Sequence, residues 1–149
     1  MVHKPKHKVH SFRGLLGDGG QDEINLERQN VNLAYRIVKL RVIGPDPRGS
    51  GQETVLKVYT DEQSSITDAI DFTDTSLLGV AFYESSSSQA DFGGTEIIFD
   101  NTLFSRNIFI TSSGDASLNY YIEIEEVPVG AATLMQLKLA VARKLSLTQ

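Results

Sequence analysis

The segment Leu118-Asn119-Tyr120-Tyr121-Ile122-Glu123-Ile124-Glu125 decides the fold of this chain. Its apolar side chains, at Leu118, Tyr120, Ile122 and Ile124, alternate with polar ones along the sequence. A period of two with β-branched and aromatic residues is typical of a half-buried strand in an antiparallel sheet. The segment therefore predicts a strand with one face on a core. Its other face, which carries Tyr121, Glu123 and Glu125, is predicted to face water or a partner.

Further segments of this kind lie on both sides of it, separated by turn signals such as the Gly- and Pro-rich stretch at residues 44–49 and the polar loop Glu84–Gly94. The predicted strands are Ala34–Gly44, Thr54–Tyr59, Ala69–Phe72, Leu77–Tyr83, Glu96–Phe99 and Asn107–Thr111. Seven or eight short strands with no helices between them predict an all-β fold, an antiparallel β-sandwich of jelly-roll type.

The alternation also predicts which side chains share a face. Val38, Leu40 and Val42 fall on one face of their strand, and Leu78, Val80 and Phe82 fall on one face of theirs. Lys39 and Arg41 lie on the polar face of the first of these strands. Opposite charges stabilise antiparallel neighbours. We therefore expect the strands at residues 35–43 and 118–125 to share a sheet, with Lys39 or Arg41 near Glu123 or Glu125.

Length and charge divide the chain into three parts. With 149 residues it has the size of one domain. Residues 1–13 carry four cations and residues 130–149 carry three, without any acid, whereas residues 14–129 hold seven cations and all 19 acids, a net charge of −12. We predict a flexible basic arm at 1–13, a sandwich at 14–129 and a tail at 130–149. The basic ends are expected to contact acidic surfaces, including those of neighbouring copies.

The predicted arm supplies most of the candidate interaction residues. Its cations are Lys4, Lys6, Lys8 and Arg13, and with the polar face of the central strand (Tyr121, Glu123 and Glu125) they form the candidate interaction site. Four cations without stacking aromatic residues favour a protein partner over nucleic acid. Such a composition predicts an arm that becomes ordered only in an assembly.

The tail favours a helix. Leu134, Leu137, Val141 and Leu145 recur at helical spacing among good helix formers, and Arg143 and Lys144 suit a helix C-terminus. Leu137, Leu139 and Val141 would also alternate as a strand. No apolar run reaches the roughly 18 residues of a membrane span, and no signal peptide is evident, so a membrane partner is not expected.

The sequence predicts no catalytic, cofactor or metal site. The chain has no Cys, and its three His (His3, His7 and His10) lie together among lysines near the start, which opposes metal binding. Asp68, Asp71 and Asp74 lack the pattern of a calcium loop and are interpreted as turn-capping residues. Without another His, the many serines have no base for a catalytic triad. We therefore expect a protein that is not an enzyme and holds no cofactor.

Four strand motifs carry a resemblance to a known group. Tyr35–Leu40 (YRIVKL), Asp71–Asp74 with Leu77-Leu78, Ile97–Asn101 and Asn119–Glu125, in this order, resemble small, mostly uncharacterised proteins of marine tailed phages. Ala132-Thr133-Leu134 is similar to an Ala-Thr-Leu-Lys segment near their C-termini, from which Met135-Gln136 departs. The resemblance covers roughly residues 33–139 and includes no counterpart of the basic arm.

The resemblance implies a structural protein of the virion, made in the host cytoplasm. The implied role is a capsid cement or decoration protein or a minor capsid component, present in multiple copies, with the major capsid protein or other virion proteins as partners. The alternative is a β-sandwich module that binds a host surface or carbohydrate, although the chain has no Trp. A hydrolase ranks last, because the residues it needs are not in evidence.

Overall fold

The computed structural model describes residues 8–26, 32–49, 51–85 and 94–147. Within these residues, eight strands and one helix follow one another: β1 (Val9–Leu16), β2 (Gln21–Ile24), β3 (Leu33–Ile43), β4 (Glu53–Tyr59), β5 (Leu77–Glu84), β6 (Gly94–Phe99), β7 (Ile108–Gly114), β8 (Leu118–Pro128) and α1 (Ala131–Leu147). The predicted all-β fold and the helical tail are confirmed. β8 runs through the central segment, and its four alternating apolar residues are all buried.

The strands form two antiparallel sheets, with the orders β1-β8-β3 and β2-β7-β4-β5-β6. The pairs β1–β8, β2–β7 and β4–β5 are nested inside one another, as in a long hairpin rolled into a jelly roll. A jelly roll would also pair β3 with β6, but β6 lies beside β5 in the larger sheet. In place of that pair, Phe104 forms a single bridge to Tyr35, with both backbone hydrogen bonds made.

The core lies between the two sheets. The central strand contributes Leu118, Ile122 and Ile124, and the facing sheet contributes Leu56 and Ile110, all fully buried. Each such side chain contributes roughly 1.5–3 kcal/mol to folding when removed from water. The sheets are also joined by a hydrogen bond of 2.7 Å from the Tyr120 hydroxyl on β8 to the Asp22 carboxylate on β2.

The prediction of a flexible arm at residues 1–13 is wrong for Val9–Arg13, which pair with β8 in continuous antiparallel register. Phe12 packs against the core and Leu16 is buried, so this strand closes one edge of the smaller sheet. The sandwich therefore begins at Val9 and not at residue 14. Lys4 and Lys6 lie outside the described residues.

Two strand faces were also predicted wrongly, each because of a β-bulge. The register shifts between Ile37 and Lys39, so Ile37 is buried and Val38 is 39% exposed. A second register shift, at Val58 and Tyr59, exchanges the inner and outer faces of β5 relative to the prediction. Ala81 and Tyr83 belong to the core. Val80 and Phe82 lie opposite residues of the outer face of β4. One inserted residue reverses every side chain beyond it, because strand periodicity is two.

The predicted strand Ala69–Phe72 is wrong, because residues 60–76 form a loop of turns over the outer face of the larger sheet. Asp71 accepts hydrogen bonds from the amide and hydroxyl of Thr73, and Asp74 accepts the same pair from Ser76. The turn-capping prediction is therefore confirmed for these two aspartates. These local bonds hold the backbone in turns that a strand would not allow.

Candidate interaction face on the three-stranded sheet

The outer face of the smaller sheet collects polar side chains from all three of its strands. Because the strands are in antiparallel register, the side chains form four rows across β1, β8 and β3. The rows are Leu15, Asn119 and Ile43; Arg13, Tyr121 and Arg41; Ser11, Glu123 and Lys39; and Val9, Glu125 and Arg36. We call this surface the ladder face.

The second row places one arginine on each side of Tyr121. Arg13 and Arg41 are exposed and border a depression of about 670 Å³, with Asn119 and Ile43 beside them. Arg41 donates a hydrogen bond of 2.9 Å to the Leu40 carbonyl. The Tyr121 hydroxyl donates to Glu123 at 3.1 Å. Two guanidinium groups near an aromatic ring are suited to bind carboxylate or phosphate groups.

Gly14 and Tyr120 form the floor beneath this row. A Cβ on Gly14 would lie 2.8 Å from the Tyr120 ring, so only glycine lets that ring lie under β1. Burial, together with the hydrogen bond from its hydroxyl to Asp22, raises the pKa of Tyr120. The tyrosine therefore stays neutral and ties the floor of the depression to the second sheet.

The charges of the ladder face are only partly compensated within it. Arg36 donates through two nitrogens to Glu125, each at 2.8 Å, and Glu125 is only 8% exposed. Lys39 stands opposite Glu123 in the register of β3 and β8, which confirms the predicted shared sheet and places the two residues side by side. Four cations and two carboxylates share the face, so Arg13 and Arg41 leave it with an excess of two positive charges. Leu15 and Ile43 add exposed apolar area beside them.

The structure brings together four of the seven candidate interaction residues: Arg13, Tyr121, Glu123 and Glu125 lie on the ladder face. Lys8 lies at its far end, where the Lys8 carbonyl accepts a hydrogen bond from the Glu126 amide. Glu125 lies on the predicted outer face, but it is largely shielded from water because Arg36 covers it. Arg41 was missed as a site residue, although the alternation of Lys39 and Arg41 was the signal for it.

Within the described parts of the chain, no three His, Cys, Asp or Glu side chains are close enough to hold a metal ion. His10 is engaged elsewhere, since its Nε2 lies 2.7 Å from Glu126. His3 and His7 lie outside the described residues. In those same parts of the chain, no helix has the length and hydropathy that a membrane crossing requires.

No protein-family model, curated protein or solved structure matches this chain.

Proposed function

We propose that this chain is a non-enzymatic structural protein of a tailed-phage particle. Its role is that of a capsid cement or decoration protein or a minor capsid component. It acts in multiple copies and binds the major capsid protein or another virion protein. The ladder face carries the proposal, because it combines two uncompensated arginines with exposed apolar side chains on a rigid sheet. Jelly-roll sandwiches occur in both capsid and lectin domains, so the fold by itself does not separate these roles.

The chemistry of the ladder face defines the surface that it would bind. Arg13 and Arg41 require carboxylates on the partner, and Leu15 and Ile43 require an apolar contact next to them. Complementary charge fixes the partner and the register of docking more than it adds affinity. Repetition on a particle then turns modest individual contacts into a firm attachment. A cement protein needs this combination of specificity and multivalency.

The experiment is co-sedimentation of the purified protein with empty capsids of the phage that encodes it, at about 0.15 M salt, where exposed charges are partly screened. The wild-type chain is expected to pellet with the capsids and to raise their melting temperature. The double variant Arg13→Glu, Arg41→Glu is expected to lose most of this binding. Arg106→Glu is the matched control, because Arg106 is exposed on the connection between β6 and β7.

Two results would overturn the proposal. One is a wild-type chain that does not bind capsids at any concentration. The other is a double variant that binds as well as the Arg106→Glu control, since the ladder face would then have no part in attachment.

A carbohydrate-binding module is the second candidate, and the depression on the ladder face favours it. Its volume of about 670 Å³ lies within the usual range of small-molecule sites, roughly 300–1,000 Å³. Asn119, Tyr121 and the arginines would supply hydrogen bonds and a ring surface to an acidic sugar. A glycan array separates the two functions, because a capsid protein is not expected to select one sugar.

A further inference from the structure

The exposed large apolar side chains of the described residues fall into three groups, apart from Val38. Leu15 and Ile43 belong to the ladder face. The second group, Ile70, Phe72 and Ile98, lies on the outer face of the larger sheet, and the third, Met135 and Leu139, lies on α1. The second and third groups have no place in the proposed attachment site. Both groups are apolar, and the charged residues beside them have opposite signs.

α1 carries an apolar and basic face. Met135, Lys138 and Leu139 are spaced at i, i+3 and i+4, so they share one side of the helix, and all three are exposed. Met135 is 60% and Leu139 is 44% exposed. The sequence of α1 contains three cations and no acid. An amphipathic helix that does not bury such a face in its own domain presents it to another surface.

The opposing surface is an apolar notch with an acidic rim. Phe72 and Ile98 line a depression of about 250 Å³ that Asp100 also borders. This volume is below the usual range for small-molecule sites and suits one or two aliphatic side chains. Residues 60–76, which supply Phe72, contain five acids and no cation. Hydrogen bonds from the Thr73 hydroxyl and amide lower the pKa of Asp71, so its carboxylate stays charged beside the notch.

We propose that α1 of one copy docks into the notch formed by Phe72 and Ile98 on a second copy. Met135 and Leu139 enter the notch, and Lys138 faces the carboxylates of Asp71 and Asp100. The inference rests on the proposed assembly in many copies and specifies the contact between them. Because helix and notch are different surfaces, the contact is heterologous, and it generates rings or extended arrays of copies.

The contact is tested by sedimentation velocity of the full chain over a range of concentrations. The wild-type protein is expected to form species larger than dimers as its concentration rises. The helix variant Met135→Glu, Leu139→Glu and the notch variant Phe72→Asp are each expected to weaken association by about thirtyfold or more, as the loss of a hot-spot side chain does. All three side chains are largely exposed in the single chain, so both variants are expected to fold, which circular dichroism checks.

Mixing the two variants tests directly whether the helix of one copy binds the notch of another. The helix variant keeps an intact notch, and the notch variant keeps an intact helix, so one contact per pair remains possible. The mixture is expected to form dimers of one copy of each variant and to stop there. Val38→Asp is the matched control, because Val38 is an exposed apolar residue outside both surfaces, and it should associate as the wild type does.

Three outcomes would overturn the inference: a wild-type chain that remains monomeric, a Phe72→Asp variant that associates normally, or a mixture that stays monomeric. The capsid co-sedimentation experiment shows whether the attachment role fails independently of the contact between copies. A monomeric chain that binds capsids overturns only the contact between copies. A chain that self-associates but ignores capsids overturns only the attachment role.

Discussion

Ile122 and Glu123 are neighbours in the sequence, but their side chains lie on opposite faces of β8. Ile122 is fully buried between the sheets, whereas Glu123 is half-buried on the ladder face. Ile122→Ala should lower the free energy of unfolding by about 2–5 kcal/mol, because it leaves a cavity in a close-packed core. Glu123→Ala should cost less than about 1 kcal/mol, because its contacts are at the surface. Urea denaturation of both variants checks the contrast, and equal losses would contradict it.

The Tyr120 hydroxyl also stabilises the fold, in a way that depends on pH. Tyr120→Phe keeps the ring but removes the 2.7 Å hydrogen bond to Asp22, which should cost roughly 1.5–3 kcal/mol below pH 9. Because burial and Asp22 raise the pKa of Tyr120 above its ordinary value of 10.0, the folded protein keeps the proton that the unfolded chain releases. The difference in free energy of unfolding between the wild type and the variant is therefore largest below about pH 10 and decreases as the pH rises further.

The measurement is urea denaturation of both proteins from about pH 7 to pH 11, the range that brackets ordinary tyrosine titration. The two unfolding free energies should converge on the alkaline side. If the difference between the two unfolding free energies stayed constant across this range, the Tyr120 proton would not be linked to folding.

The loop at residues 60–76 is held by a buried lysine of the strand before it. Lys57 is only 3% exposed on β4, and its ammonium group donates a hydrogen bond of 2.7 Å to the Ala69 carbonyl. The same group lies 5.6 Å from the centroid of the Tyr59 ring. A lysine this deeply buried is unusual unless its charge has partners, so the loop and the lysine hold each other in place.

Lys57→Met keeps the aliphatic stem and removes the donor. Amide hydrogen exchange across residues 60–76 should become faster, while global stability changes little, because burying a charge is itself costly. Lys39→Met is the control, since Lys39 is exposed on the ladder face and should leave exchange in this loop unchanged. Unchanged exchange in the Lys57 variant would show that the turns around Asp71 and Asp74 hold the loop alone.

Sequence periodicity predicts some strands of this fold and misses others. β8 was predictable because its alternation is unbroken, and its polar face supplies four of the twelve positions of the ladder face. The strand β1 was not predictable, because its inward positions include His10 and Gly14, which carry no hydrophobic signal. The three lysines that precede it, together with Arg13, favoured an arm. The loop residues Ile70 and Phe72 alternate like a strand, yet both are exposed, and local carboxylate bonds decide their backbone. Bulges are invisible to periodicity, which explains the reversed faces of β3 and β5.

The two ends of the described chain differ in what they contribute to the stability of the sandwich. β1 is hydrogen-bonded to β8 over its full length, and Phe12 adds to the core. α1 makes no extensive contact with either sheet along the part of the chain that the structure describes. Removing these elements should therefore have opposite effects on stability and on assembly.

Deleting residues 1–13 removes Phe12 and most of the strand that covers the edge of β8, so it should lower the free energy of unfolding by at least about 3 kcal/mol. This is a large fraction of the stability of a domain of this size, typically about 5–15 kcal/mol. Deleting residues 131–149 should leave the melting temperature of the sandwich within a few degrees of the full chain. The same deletion should abolish association between copies, because it removes the helix that docks in the notch. Thermal unfolding and sedimentation of both deletions check this contrast. A marked loss of stability without α1 would mean that the helix packs on its own domain and is not available to a neighbour.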